Sequence, residues 1–91
     1  MQNRSSVDLV SQILRGSIDG ADASSIMFSL AISFSQVQDY LRLLTSRGLL
    51  EQNEETLSYN TTNKGVKFLR LYDQINEIFL SENVGLTCSV N

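Results

Sequence analysis

One short string constrains this chain more than any other: Ser33-Phe34-Ser35-Gln36. It is a capping box, in which the Ser33 hydroxyl accepts from the Gln36 amide and the Gln36 side chain reaches back to the Ser33 amide. A helix therefore begins beside Ser33. Val37, Tyr40, Leu41 and Leu44 continue it as one apolar stripe, and Arg47-Gly48 closes it with a cation and a C-terminal glycine. Upstream, Ala23 to Leu30 carries Ile26, Met27 and Leu30 at helical spacing. Only the tight connection Ala31-Ile32-Ser33 separates these two helices, so they must fold back on each other.

The rest of the chain falls into place around that pair. There is no proline in the sequence, so glycine, polar clusters and caps must do all the stopping. Ser5 and Asp8 form a capping pair for a first helix carrying Val7, Val10, Ile13 and Leu14, and Gly16 can end it. Ser17 to Asp22 is a loop by composition. After Gly48, the segments Leu49 to Gln52 and Leu57 to Thr61 are expected as two short strands, with Leu57, Tyr59 and Thr61 alternating against Ser58 and Asn60. Asn53 to Thr56 joins them. Thr62 is a suitable cap for a fourth helix reaching about Leu80.

The order helix, helix, helix, hairpin, helix is the winged helix-turn-helix plan, mainly α with a small β-hairpin wing. We expect residues 5–61 to form the winged domain, 62–80 a C-terminal dimerisation helix within the same core, and 81–91 a flexible tail. Ninety-one residues allow one domain. A chain this small often needs an additional source of stability. Cys88 is the only cysteine and there is no histidine, so neither an internal disulfide nor a zinc site with four N/S ligands is available. No metal or other cofactor is expected. No apolar run approaches the roughly 20 residues needed to span a bilayer, and the first residues lack the apolar stretch of a signal peptide. The expected location is the cytoplasm, with nucleoid association if DNA is bound. No membrane contact or small-molecule ligand is indicated.

The strings Ser25-Ile26-Met27-Phe28, Ser33-Phe34-Ser35-Gln36-Val37, Tyr40-Leu41, Leu44, Gly48-Leu49-Leu50 and Tyr59-Asn60-Thr61-Thr62-Asn63-Lys64-Gly65 together resemble an archaeal winged-helix family. That family includes the Sulfolobus 10a chromatin proteins and related transcriptional regulators. The resemblance spans Val7 to Phe79. It implies a homodimer that binds double-stranded DNA, with the helix after the wing paired to its mate as an antiparallel coiled coil. This sequence departs from the family pattern at Ser25, where a basic residue is common, at the acidic wing tip Glu54-Glu55, and in a shorter fourth helix.

The third helix can be phased directly. At about 100° per residue, with Val37 at zero, Tyr40, Leu41 and Leu44 lie within about 60° of it. Ser35, Asp39, Arg42 and Ser46 occupy the opposite side, with Gln38 and Thr45 on a shoulder. The exposed face of the second helix of such a motif enters the major groove. Gln38 suits an adenine edge and Arg42 a guanine or a phosphate. The candidate DNA-binding set is Ser35, Gln36, Gln38, Asp39, Arg42, Thr45, Ser46, Arg47, Asn53 of the wing and Lys64. The same face also reads as ordinary solvated helix. The net charge of −3, from 7 Lys and Arg against 10 Asp and Glu, is poor for a nucleic-acid binder. The alternative is a winged-helix protein-interaction module that has lost DNA binding.

The fourth helix carries an apolar arc about twice the roughly 100° that packing on one small domain requires. Leu69, Tyr72 and Phe79 make one stripe; Phe68, Leu71, Ile75 and Ile78 make another, spaced 3, 4 and 3. One stripe can pack on its own domain and the other on a partner helix. The candidate dimer interface is Phe68, Leu71, Tyr72, Ile75, Ile78 and Phe79. Catalysis is not expected: without histidine the commonest general base is missing, and no glycine-rich phosphate loop is present.

Overall fold

The computed structural model describes residues 5–84. Their order is α1 (Ser6–Gly16), α2 (Ala23–Leu30), α3 (Phe34–Ser46), β1 (Leu50–Asn53), β2 (Ser58–Thr61) and α4 (Asn63–Val84). The expected sequence of three helices, hairpin and helix is observed.

Each helix starts where its cap dictates. Both capping boxes form: Ser5 with Asp8 on α1, and Ser33 with Gln36 on α3. The α2 start is capped by Asp22, the last residue of the polar loop, whose carboxylate accepts from the Ser25 amide at 2.8 Å. Gly48, at φ +79°, takes the left-handed conformation that turns the chain out of α3. Thr62 caps α4 by accepting from the Gly65 amide at 3.1 Å, and its hydroxyl donates to the Gly48 carbonyl at 2.6 Å.

The core lies between the first three helices and the hairpin. Ile13 and Leu14 from α1, Ile26 and Leu30 from α2, Val37, Leu41 and Leu44 from α3, Leu50 from β1 and Leu69 from α4 are all buried in it. The hairpin is antiparallel, pairing Leu50 with Thr61 and Asn53 with Ser58. Its inner edge is tied to the loop after α1. Ala21 exchanges two backbone hydrogen bonds with Tyr59, at 3.0 and 2.8 Å, and the Thr61 amide donates to the Ser17 carbonyl at 3.0 Å. That loop thus acts as a third, minimal strand, which its polar composition did not reveal.

Four boundaries differ from expectation, the first being that β1 begins at Leu50 rather than Leu49. Asn53 belongs to β1 rather than to the connecting loop. Leu57 does not join the inward alternation of β2; it sits in the turn at φ +55° and is exposed. The fourth helix continues through Val84, four residues past Leu80. No glycine or proline stands between Gly65 and Gly85, and polar residues alone do not stop a helix. Residues 85–91 of the expected tail lie outside the described residues. No helix among the described residues is long and apolar enough to cross a membrane.

Candidate nucleic-acid interface

The third helix is held by its buried stripe of Val37, Leu41 and Leu44, so its opposite face is fixed toward solvent. On the wing side of that helix a shallow groove opens. Gln38, Arg42, Thr45 and Ser46 line it from α3, and Gln52 and Tyr59 line it from the two strands. Four candidate residues are therefore brought together. Gln52 and Tyr59 were missed. Their only signal is the strand assignment itself, in which Tyr59 alternates with Ser58 and Asn60 and Gln52 ends the first strand.

The groove mixes polar and apolar lining, with Leu41 at its base, and carries one cation. Arg42 is already engaged, with its Nη1 3.3 Å from Asp39 Oδ1, one helical turn earlier. Both side chains are largely exposed, so the pair is weak and exchangeable. The Ser46 hydroxyl donates back to the Leu43 carbonyl at 2.8 Å, leaving its oxygen able to accept. Thr45 Oγ1 is buried without a hydrogen-bond partner among the described residues.

The other candidates are placed elsewhere. Ser35 and Gln36 lie exposed in the first turn of α3, and the Gln36 carbonyl oxygen is used by the Ser33 amide at 3.2 Å. Asn53 organises the wing turn, its Oδ1 accepting from the amides of Glu55 at 2.9 Å and Thr56 at 3.3 Å. The wing surface beside it is lined by Glu51, Glu54 and Glu55. Lys64 Nζ donates to the Arg47 carbonyl at 2.8 Å, which satisfies a helix-terminal carbonyl of α3 and holds this ammonium at the α3–α4 junction. Arg47 itself faces a second groove, between α1, α3 and α4.

The fourth helix is fastened to α1 by two polar contacts. The Tyr72 hydroxyl donates to Asp8, and Arg15 meets Asp73 through two bonds of 2.9 and 3.3 Å. The Tyr72 hydroxyl and the Ser5 amide hold the Asp8 carboxyl below the usual carboxylate range. Arg15 does the same for Asp73. Tyr72 is thus directed to its own domain, and Phe68 packs against its own core. Leu71, Ile75, Ile78 and Phe79 remain exposed, at 52, 67, 61 and 64 %. Of the six residues expected at a dimer surface, these four are open. Among the described residues, no group of three or more His, Cys, Asp or Glu side chains is positioned to hold a metal ion.

A helix-turn-helix whose second helix stands beside a two-stranded wing defines a winged helix domain. The profile of the winged helix-turn-helix family matches residues 3–79, and the chain belongs to that family. Comparison with curated proteins finds no match.

Proposed function

We propose that this protein is a homodimeric DNA-binding regulator or architectural protein that works by binding rather than by catalysis. The observation carrying the reading is the groove between α3 and the wing, where Gln38, Arg42, Thr45 and Ser46 face Gln52 and Tyr59. In this reading the outer face of α3 enters the major groove, with Ser35, Gln38, Asp39 and Arg42 nearest the base edges. The DNA backbone runs along the α3–wing groove, against Thr45, Ser46, Gln52 and Tyr59. Asn53 of the wing and Lys64 lie at the periphery as phosphate contacts, and Gln36 acts through the α3 cap.

The exposed stripe of Leu71, Ile75, Ile78 and Phe79 supports the homodimer. Such a patch is seldom left uncovered on a soluble monomer. The resemblance of several strings to the Sulfolobus 10a chromatin proteins favours the architectural role and a nucleoid location. An anisotropy titration of a mixed-sequence duplex across salt concentrations tests the proposal. The expected result is binding whose affinity falls steeply as salt rises; no binding at low salt overturns it.

A second reading has its own support. Glu51, Glu54 and Glu55 make the wing acidic, and Arg42 and Lys64 are each already engaged within the chain. A protein-interaction module with this fold would show those features. It predicts capture of a protein partner that survives nuclease treatment.

A further inference from the structure

The groove between α1, α3 and α4 has no part in the proposed DNA contact. Val7 and Val10 line it from α1, Leu43 and Arg47 from α3 and Phe68 from α4, with Ser6 beside them at the start of α1. The trough is mostly apolar and holds about 230 Å³. Val7 and Leu43 are 52 and 43 % exposed, so it opens to solvent. Its origin lies in the packing. α1 rests chiefly on α4 and α2, and α3 on α2 and β1, so the two facing helices are joined mainly through their neighbours. The trough is the gap left between them.

The charges around it are one-sided. The trough has one cation and no carboxylate in its lining, in a chain whose net charge is −3. Arg15 and Arg42 are each paired with an aspartate. The Arg47 guanidinium meets no carboxylate among the described residues, and the Lys64 ammonium sits against the Arg47 carbonyl at 2.8 Å. Ser6 begins α1, where the helix dipole is positive. The acid of that turn, Asp8, is held toward α4 by the Tyr72 hydroxyl.

We infer that the trough binds a small apolar monocarboxylate, a short fatty acid or an arylalkanoic acid, with its apolar body against Val7, Val10, Leu43 and Phe68 and its carboxylate on Arg47. Burial of the apolar body supplies the affinity. The guanidinium selects the head group, since its fork matches a carboxylate through two parallel hydrogen bonds. The volume sets the size, below the roughly 300–1,000 Å³ of sites that take drug-sized ligands. Apolar side chains from a second copy would cover the walls but leave Arg47 unanswered; the unpaired cation favours an occupant that brings its own anion.

The site has a consequence for α3. Leu43 and Arg47 adjoin Arg42 and Ser46 of the proposed DNA face. A ligand that joins α1 to α3 would restrain the end of the recognition helix and so act as an effector. That consequence rests on the DNA reading; the binding site itself does not.

Titration of octanoate and of octan-1-ol into the isotope-labelled full chain, followed by its amide resonances, tests the site. Octanoate should shift the amides of Val7, Val10, Leu43, Arg47 and Phe68 saturably, with a dissociation constant of about 1 mM or below. Octan-1-ol, with the same tail and no charge, should bind at least about fivefold more weakly, and Arg47→Gln should bring the two probes within about twofold of each other. Val7→Asp places a carboxylate at an exposed position in the first turn of α1, which helices tolerate. It should weaken octanoate binding by about tenfold with the circular dichroism unchanged. No saturable shift, equal affinity of the wild type for both probes, or shifts confined to Leu71 to Phe79 each overturn the site. Trough amides that move when the protein alone is diluted reveal a second copy in the trough, which also overturns it. Saturating octanoate should change duplex affinity by about fivefold or more. An unchanged duplex affinity overturns the effector role. A chain that binds octanoate in the trough and no DNA at all overturns the DNA reading and leaves the site standing.

Discussion

Arg42 Nη1 lies 3.3 Å from Asp39 Oδ1 on the outer face of α3, so the cation of the proposed reading face is held by a carboxylate of the same face. Such a pair, largely exposed and one turn apart, contributes under about 1 kcal/mol. A phosphate or a guanine edge offers Arg42 a better, bidentate partner. Asp39→Asn releases the guanidinium and removes a charge that repels phosphate. DNA affinity should rise by about 3- to 10-fold, and Arg42→Ala should lower it by at least that much, within the ~1–3 kcal/mol of a good base contact. Equilibrium titration of the two variants and the wild type decides the matter. An unchanged affinity in both removes α3 from the interface.

The wing tip separates the two functional readings. Glu54 and Glu55 stand exposed in the turn after β1. If DNA passes the wing, replacing both by lysine converts two repulsive charges into two attractive ones. The slope of log affinity against log salt should then steepen by about 0.9 for each new phosphate contact. If the acidic wing instead binds a protein, the same variant should lose that partner and show no steeper slope on duplex DNA.

Acid should loosen the attachment of α4. Asp8, held low by the Tyr72 hydroxyl, and Asp73, held low by Arg15, each bind protons less readily when folded than when unfolded. Asp22 is likewise lowered by the Ser25 amide that it caps. A carboxylate shifted in this direction contributes fully above its unfolded value of about 4 and loses that contribution as pH falls through its folded value. Tyr72 runs the other way: its bond to Asp8 raises it, so its contribution holds below its ordinary value and disappears as pH climbs through the raised one. The thermal midpoint should be flat from about pH 5 to pH 8 and fall below about pH 4. A variant carrying Asp8→Asn and Asp73→Asn should show a shallower acid limb. An identical limb would show that these contacts do not carry the acid sensitivity.

The fold was legible in the sequence wherever local rules act alone. The Ser33–Gln36 box, Gly48, the Thr62 cap and the apolar stripe of α3 each specify geometry within a few residues, and each took the expected form. What the sequence hid were relations between distant segments. Nothing in Ser17 to Asp22 announces a strand, because the pairing of Ala21 with Tyr59 is made entirely by backbone. The local surroundings of the basic residues were hidden for a related reason. Lys64 was grouped with Arg42 and Arg47 by charge, yet a carbonyl at the end of α3 holds Lys64, and Arg47 faces a different groove. Apolar periodicity on α4 gave two stripes but not their division. Whether Phe68 and Tyr72 or Phe79 turned inward depended on where α1 ends, which no spacing within α4 records.

The join between wing and fourth helix gives the sharpest test of the packing. Gly65 sits in the first turn of α4, buried against the hairpin. A Cβ there would lie 2.5 Å from both the Leu49 carbonyl oxygen and Thr61 Cγ2. The Leu49 carbonyl cannot yield easily, since it accepts from the Thr62 amide at 3.1 Å. Thr61 is pinned as well, by a 2.5 Å bond from its hydroxyl to the Leu14 carbonyl. Gly65→Ala must therefore push α4 away from the hairpin, although alanine is the better helix former by about 1 kcal/mol. Overpacking of this kind destabilises by about 1–3 kcal/mol, which lowers the thermal midpoint by roughly 4–8 °C per kcal/mol in a domain of this size. Gly16→Ala is the control: its Cβ would meet nothing within 4 Å, so propensity alone acts and the midpoint should hold or rise. A Gly65→Ala protein as stable as the wild type would show that α4 does not rest on the Leu49 carbonyl, and with it would go the fixed placement of α4 against the wing.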